Sequence, residues 1–198
     1  MNRKSQAEII HEMSDREVTV QLVFTQLVLL LLALAGSFFL FDSFQAEWRK
    51  LFYVELHTWV YFGIIPGLLI LLIDFILMYS LPEKMYDDGG INVKVFQTRS
   101  VAGIVALTLL IAISEELLFR GVLHTQFGYI IASVLFALMH IRYWNKIVLL
   151  LSVLFVSFLL GYMFEWTGSI TVTITAHFII DLILALSIRF GKWGGGSE

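Results

Sequence analysis

Four positions stand out because their chemistry does not belong in apolar sequence. Glu115 lies in "SEELLFRG", which follows "VAGIVALTLLIAI"; His140 ends "FALMH", and His177 and Asp181 open and close "HFIID". Carboxylates and imidazoles are the side chains that move protons near neutral pH. Gathered inside a membrane they could activate a water, relay protons across the bilayer, or hold a divalent metal. Glu115, His140, His177 and Asp181 form a donor set compatible with zinc, yet the H-E-x-x-H helix that supplies two ligands and a base is absent. The cofactor reading therefore stays open between none and a divalent metal such as zinc. Cysteine chemistry is excluded, since the chain has no cysteine. Ser114 precedes two glutamates and lacks a nucleophile elbow, so it is not read as a nucleophile.

These residues need elements to carry them, and the composition says what kind. Of 198 residues 59% are hydrophobic and 15% charged, and mean hydropathy is +0.85, far above soluble domains. The chain belongs in a lipid bilayer, its first partner. A net charge of -3 and no basic stripe exclude nucleic acid as a partner. Residues 1–17 read as a polar, water-exposed tail, charged for too long to open a signal peptide. Residues 191–198 are Gly-rich, read as a linker and carry no function.

Crossing ~30 Å of hydrocarbon takes about 20 helical residues. Six apolar runs suggest an all-α polytopic bundle over 18–190 with a polar intramembrane cavity: Val18 to Phe41, Trp59 to Ser80, Val101 to Leu123, Gly128 to Ile141, Ile147 to Glu165 and Ser169 to Phe190. The fourth covers only ~21 Å, so it tilts, extends or ends beside a polar cavity. The loop "LPEKMYDDGGINVKVFQTR" has a D-D-G-G turn and nothing that suggests catalysis. Ten Lys and Arg fall on the side of the two termini and three on the other. The positive-inside rule then places both termini in the cytoplasm of a cell-membrane protein. His11, His57 and His124, in tails or at span ends, read as solvated, and Trp and Tyr near span ends as interfacial anchors.

The third span carries its charges against the lipid. Glu115, Glu116 and Arg120 at about 2.5 to 3.5 kcal/mol each sum to roughly 7 to 10 kcal/mol against insertion. Thirteen Leu, Ile, Val and Phe between Val101 and Leu123 return about 4 to 8 kcal/mol. Glu116 and Arg120 are i, i+4 neighbours and read as a structural ion pair. Glu115, about 100° around the helix, needs a partner from elsewhere. Counting ~1.5 Å per residue places Glu115, His177 and His140 at ~9, ~12 and ~18 Å from the non-cytoplasmic face, one slab able to share a cavity. Phe136, one turn before His140, reads as packing that fixes the histidine. Asp74, in mid-span, is a buried acid whose role is even between function and pairing.

"EELLFR", "FALMH" and "HFIID" resemble the EExxxR, FxxxH and HxxxN/D motifs of the CPBP intramembrane protease family, the CAAX proteases and bacteriocin-processing enzymes, also called the Abi family. The resemblance spans residues 101 to 190. It implies a multi-pass membrane endopeptidase in which Glu115 and His140 activate water, and His177 serves as oxyanion donor or metal ligand. Asp181 stands where many members have Asn; an ionised Asp cannot donate to an oxyanion, so it is expected to orient His177 or ligate a metal. The prenyl-protein members imply access from the cytosol. The small chain resembles prokaryotic members, for which a peptide or membrane-protein substrate is expected. Two other classes fit the composition: a proton-coupled or ion transporter, although no duplicated halves are visible, and a catalytically silent scaffold.

Overall fold

The computed structural model describes residues 6–191, and every regular element among them is helical. Residues 1–5 of the polar tail and 192–198 of the Gly-rich linker lie outside the described residues. In chain order the helices are α1 (Gln6–Glu12), α2 (Asp15–Leu40), α3 (Phe44–Phe52), α4 (Leu56–Ser80), α5 (Ile91–Phe96), α6 (Val101–Phe127), α7 (Tyr129–Met139), α8 (Ile147–Thr167) and α9 (Ile170–Arg189). Five of them, α2, α4, α6, α8 and α9, are long and apolar enough to cross a bilayer, and α7 is the short fourth span. Its 11 residues cover only ~16 Å.

Local chemistry moves several expected boundaries. The first long helix starts at Asp15, before Val18, because Ser14 and Glu17 form a capping box: Glu17 N–H donates to Ser14 Oγ at 3.3 Å and Ser14 N–H to Glu17 Oε2 at 2.8 Å. Part of the expected free tail is helix α1, which lies against α5, and His11 Nε2 donates to Gly89 O at 2.8 Å. The third span runs on to Phe127. That extension corrects the reading of His124, which is buried and meets Glu165 Oε2 at 2.7 Å.

The bundle is inside-out relative to a soluble protein. Phe24, Leu31 and Phe38 of α2 are 66%, 65% and 70% exposed, as helices facing lipid require. Helix contacts instead use small residues, with Ala33, Ala112, Ala132 and Ala176 buried at them. Helix α9 is central, packed against α4, α6 and α8. Between α7 and α8 the approach is closest at Gly161, where a Cβ would stand 2.7 Å from both Ser133 Oγ and the Tyr129 ring. That proximity lets Ser157 Oγ donate to Ser133 O at 2.9 Å and Tyr129 Oη to Phe158 O at 2.9 Å.

Two spans contain π-helical turns, a feature concentrated at functional sites. In α4 it covers Val60–Ile64, just before Pro66, whose missing N–H cannot continue an i→i−4 ladder. In α6 it covers Leu117–His124, directly after Glu115 and Glu116. There Thr125 Oγ1 donates to Arg120 O, five residues back, at 3.2 Å, and Gly121 admits the Trp48 ring of α3 to 2.8 Å from where a Cβ would sit.

Gly161→Ala is expected to force α7 away from α8 at an overpacking cost of about 1 to 3 kcal/mol. The midpoint of thermal unfolding in detergent should fall accordingly; an unchanged midpoint would show that the two helices do not depend on this approach.

Candidate active site

The charges of the third span converge on α9. Arg120 Nη1 donates to Glu116 Oε1 at 3.0 Å, and His177 Nδ1 meets the same oxygen at 2.9 Å. Glu116 and Arg120 are both 0% exposed. The expected i, i+4 ion pair is present, and it does more than neutralise itself, since it fixes the imidazole of a neighbouring helix. The guanidinium is also held from α8, with Nη2 donating to Ser157 O at 2.8 Å and Ser157 Oγ at 3.1 Å. The contact at Gly161 that brings Ser157 and Ser133 together therefore also backs Arg120.

With Nδ1 committed to Glu116, the other face of His177 looks toward the remaining acids. Its Nε2 lies 3.5 Å from Asp181 Oδ2 and 4.0 Å from Glu115 Oε2. The second distance is too long for a hydrogen bond. Glu115 Oε2 is buried and accepts no hydrogen bond among the described residues, while the Glu115 side chain keeps 13% exposure. The carboxylate that lacked a local partner thus faces α9 across a gap.

Phe136 stands at the centre of this group. Its ring lies 4.5 Å from the Arg120 guanidinium carbon, 4.9 Å from the His140 ring and 5.9 Å from the His177 ring. Its carbonyl takes His140 Nδ1 at 2.9 Å. A carbonyl only accepts, so Nδ1 carries the proton and Nε2 is the basic nitrogen of neutral His140. Glu115 and His177 lie within electrostatic reach of His140. Helix α7 ends at Met139, which is what delivers His140 to the middle of the bundle. Ser114 is turned elsewhere, its hydroxyl bonded to Gln26 Oε1 on α2.

A family profile described as "Rce1-like: Type II CAAX prenyl endopeptidase Rce1-like" matches residues 97–183, which include Glu115, His140, His177 and Asp181. "Uncharacterized protein YpbD" of Bacillus subtilis (strain 168) is 45% identical over 166 residues, covering 84% of this chain and 87% of that protein. The chain belongs to the Rce1-like family of CAAX-type intramembrane proteases. No solved structure matches it.

Around these residues the structure adds a layer that the sequence did not disclose. Tyr143 stacks on His140 with ring centroids 5.8 Å apart and 20° between planes, and the Arg142 guanidinium carbon lies 4.6 Å from the Tyr143 ring centroid. Arg142 Nη1 donates to Asn92 Oδ1 of α5 at 3.3 Å, and Arg142 is within electrostatic reach of Asp181 and Glu115. Asp88 accepts from Asn92 N–H at 3.1 Å, and burial pushes its carboxyl above the usual carboxylate range, opposed by Arg142. The loop expected to be chemically silent thus roofs the site from the end where α2 begins and α9 finishes. Arg142 was hidden because an Arg at a span end reads as a positive-inside anchor; the one available signal was its spacing, two residues after His140.

Asp74 of α4 lies within electrostatic reach of Asp181, so the site gathers an acid from a third spanning helix. Of the four candidate metal ligands, His177 gives Nδ1 to Glu116 and His140 gives Nδ1 to Phe136 O, which leaves their Nε2 atoms and the carboxylates of Glu115 and Asp181. Among the described residues no three His, Asp or Glu side chains are grouped to hold a metal ion.

Arg120→Met should strand Glu116 in a dry bundle and cost about 3 to 5 kcal/mol, the penalty for removing one partner of a buried pair. Loss of the monodisperse peak in size-exclusion chromatography would report it. Adding Glu116→Gln to Arg120→Met removes the stranded charge and is expected to recover part of the folded yield; no recovery would mean that the pair is not the source of the loss.

Proposed function

We propose that the chain is an intramembrane endopeptidase that cleaves a peptide bond with a water activated by Glu115 and His140. One observation carries this reading: Glu116 takes both Arg120 and His177 Nδ1, which leaves Glu115 and His177 Nε2 facing each other across 4.0 Å with no hydrogen bond between them. A pair already bonded would have little to offer a substrate. This pair can take a water on the carboxylate side and a carbonyl oxygen on the imidazole side.

In this mechanism Glu115 accepts a proton from water as the water oxygen bonds to the scissile carbonyl carbon. His140, with Nε2 as its basic nitrogen, shares that proton transfer. The carbonyl oxygen becomes an oxyanion. With Nδ1–H given to Glu116, the imidazolium form of His177 offers Nε2–H to that oxyanion. Asp181 accepts and does not donate, so its role is to aim His177. Collapse of the intermediate breaks the C–N bond, and the proton held by Glu115 passes to the leaving amine. The substrate is a peptide or a segment of a membrane protein able to reach the bundle interior.

The test is cleavage of a peptide library followed by mass spectrometry, using purified protein with and without chelator. Wild type should cleave, and Glu115→Gln and His140→Ala should each lose about 10²- to 10⁴-fold, the worth of a positioned acid or base. Full activity in Glu115→Gln would falsify the mechanism. Loss of wild-type cleavage in chelator would move the reading to metal assistance. Proton uptake into liposomes without any cleavage would favour a transporter.

Asp181→Asn separates aiming from charge. An amide can still accept from His177, so turnover should survive within about tenfold, while Asp181→Ala should fall further because the ring is then held by Glu116 alone. Equal losses in the two variants would count against an aiming role.

A further inference from the structure

A second polar site lies away from the chemistry, at the end of the bundle where α2 and α6 begin. Asp15, Arg16 and Thr19 of α2, Lys94 and Val95 of α5, and the following Thr98 and Arg99 line a cavity of about 260 Å³. Its lining holds three cations, Arg16, Lys94 and Arg99, against one carboxylate. That carboxylate is fully used: Asp15 Oδ1 lies 3.0 Å from Lys94 Nζ, and Oδ2 accepts from Thr98 Oγ1 at 3.0 Å. Arg99 is braced, with Nη2 donating to Thr19 Oγ1 at 2.7 Å and Nε to Val95 O at 3.1 Å. These bonds hold the cavity in shape and leave Arg99 Nη1, two N–H groups of Lys94 and the exposed guanidinium of Arg16 as donors. Internal pairing thus neutralises one charge and fixes Lys94 and Arg99 in place.

We infer that this cavity binds the phosphate group of an anionic phosphate ester, with a phospholipid headgroup and a soluble phosphate as its two sources. The level in the bilayer suits a headgroup, because α2 starts at Asp15 and α6 at Val101, beside the cavity. Basic pockets between spanning helices on the positive side of a membrane recognise anionic lipids in this way. Arg and Lys together suit a phosphate, one as a planar fork and the other as a point charge. The inference does not rest on the peptidase reading. It has a structural link to that site all the same, since α5 carries both Lys94 in the cavity and Asn92 on Arg142.

The experiment uses the full chain in detergent and native mass spectrometry with phosphatidylglycerol or phosphatidylcholine. Wild type should retain one phosphatidylglycerol in preference to phosphatidylcholine by at least about tenfold, the equivalent of one fully formed charge contact. Arg16→Gln, at an exposed side chain, should reduce retention without changing the elution volume, and Arg16→Gln with Lys94→Gln should abolish it. Lys94→Arg keeps the charge and should keep binding even if the double variant folds poorly. Displacement of the lipid by millimolar inorganic phosphate would assign the site to soluble phosphates, and retention despite phosphate would assign it to the lipid. Equal retention of the two lipids, or undiminished phosphatidylglycerol binding in Arg16→Gln and the double variant, would overturn the proposal.

Discussion

One buried oxygen organises the interior of this protein. Glu116 Oε1 receives Arg120 from its own helix and His177 from α9, and Arg120 in turn reaches Ser157 on α8. Both ionic partners are sealed from solvent and lipid. In hydrocarbon such a pair persists only when its geometry is good, and here Ser157 and His177 supply further partners while Glu116 Oε2 and Arg120 Nε have none among the described residues. Three spanning helices are therefore obliged to meet at one height and in one rotation. The direct hydrogen bonds fix α6, α8 and α9; Phe136, lying over the guanidinium, adds α7. Everything else in the candidate site is placed relative to this knot.

The small residues and the π turn serve the same constraint. A glycine at 161 lets α7 and α8 close until Ser133 and Ser157 exchange hydrogen bonds, which aims a carbonyl and a hydroxyl at Arg120. The wide turn from Leu117 to His124 begins just past the two glutamates and carries Arg120. Trp48 of α3, filling the space beside Gly121 and donating to Ser37 Oγ at 3.1 Å, supports that turn from the outside. Neutral packing on the outer side and charge pairing on the inner side hold one stretch of helix.

The positions of chemistry were legible because charge inside apolar sequence is costly and so must be explained. Glu115, Glu116, Arg120, His140, His177 and Asp181 announce themselves that way, and the spans are read from length alone. The ion pair followed from i, i+4 spacing. Its bond to His177 did not, because nothing in one helix tells which face of another it meets. The π turn was invisible to hydropathy, which does not distinguish i→i+5 from i→i+4 bonding. His124 was misplaced because its span runs four residues further than the apolar run. Arg142, Asn92 and Asp88 went unnoticed since polar residues in a loop are ordinary until the fold turns that loop over a site. Apart from the π turn and the helix ends, what was missed is tertiary, and what was found is local.

Helix α7 stops at Met139 after only ~16 Å, and the chain returns to the next span through the turn Ile141–Tyr143 and the residues up to Lys146. Backbone that is not helical is tolerated at such depth only inside protein or beside a wet cavity. The short α7 therefore needs protein over the turn that follows it, and Arg142 on Asn92 and Tyr143 on His140 supply it. Five long helices and the 81–100 loop thus shield a backbone turn that hydrocarbon alone would not tolerate.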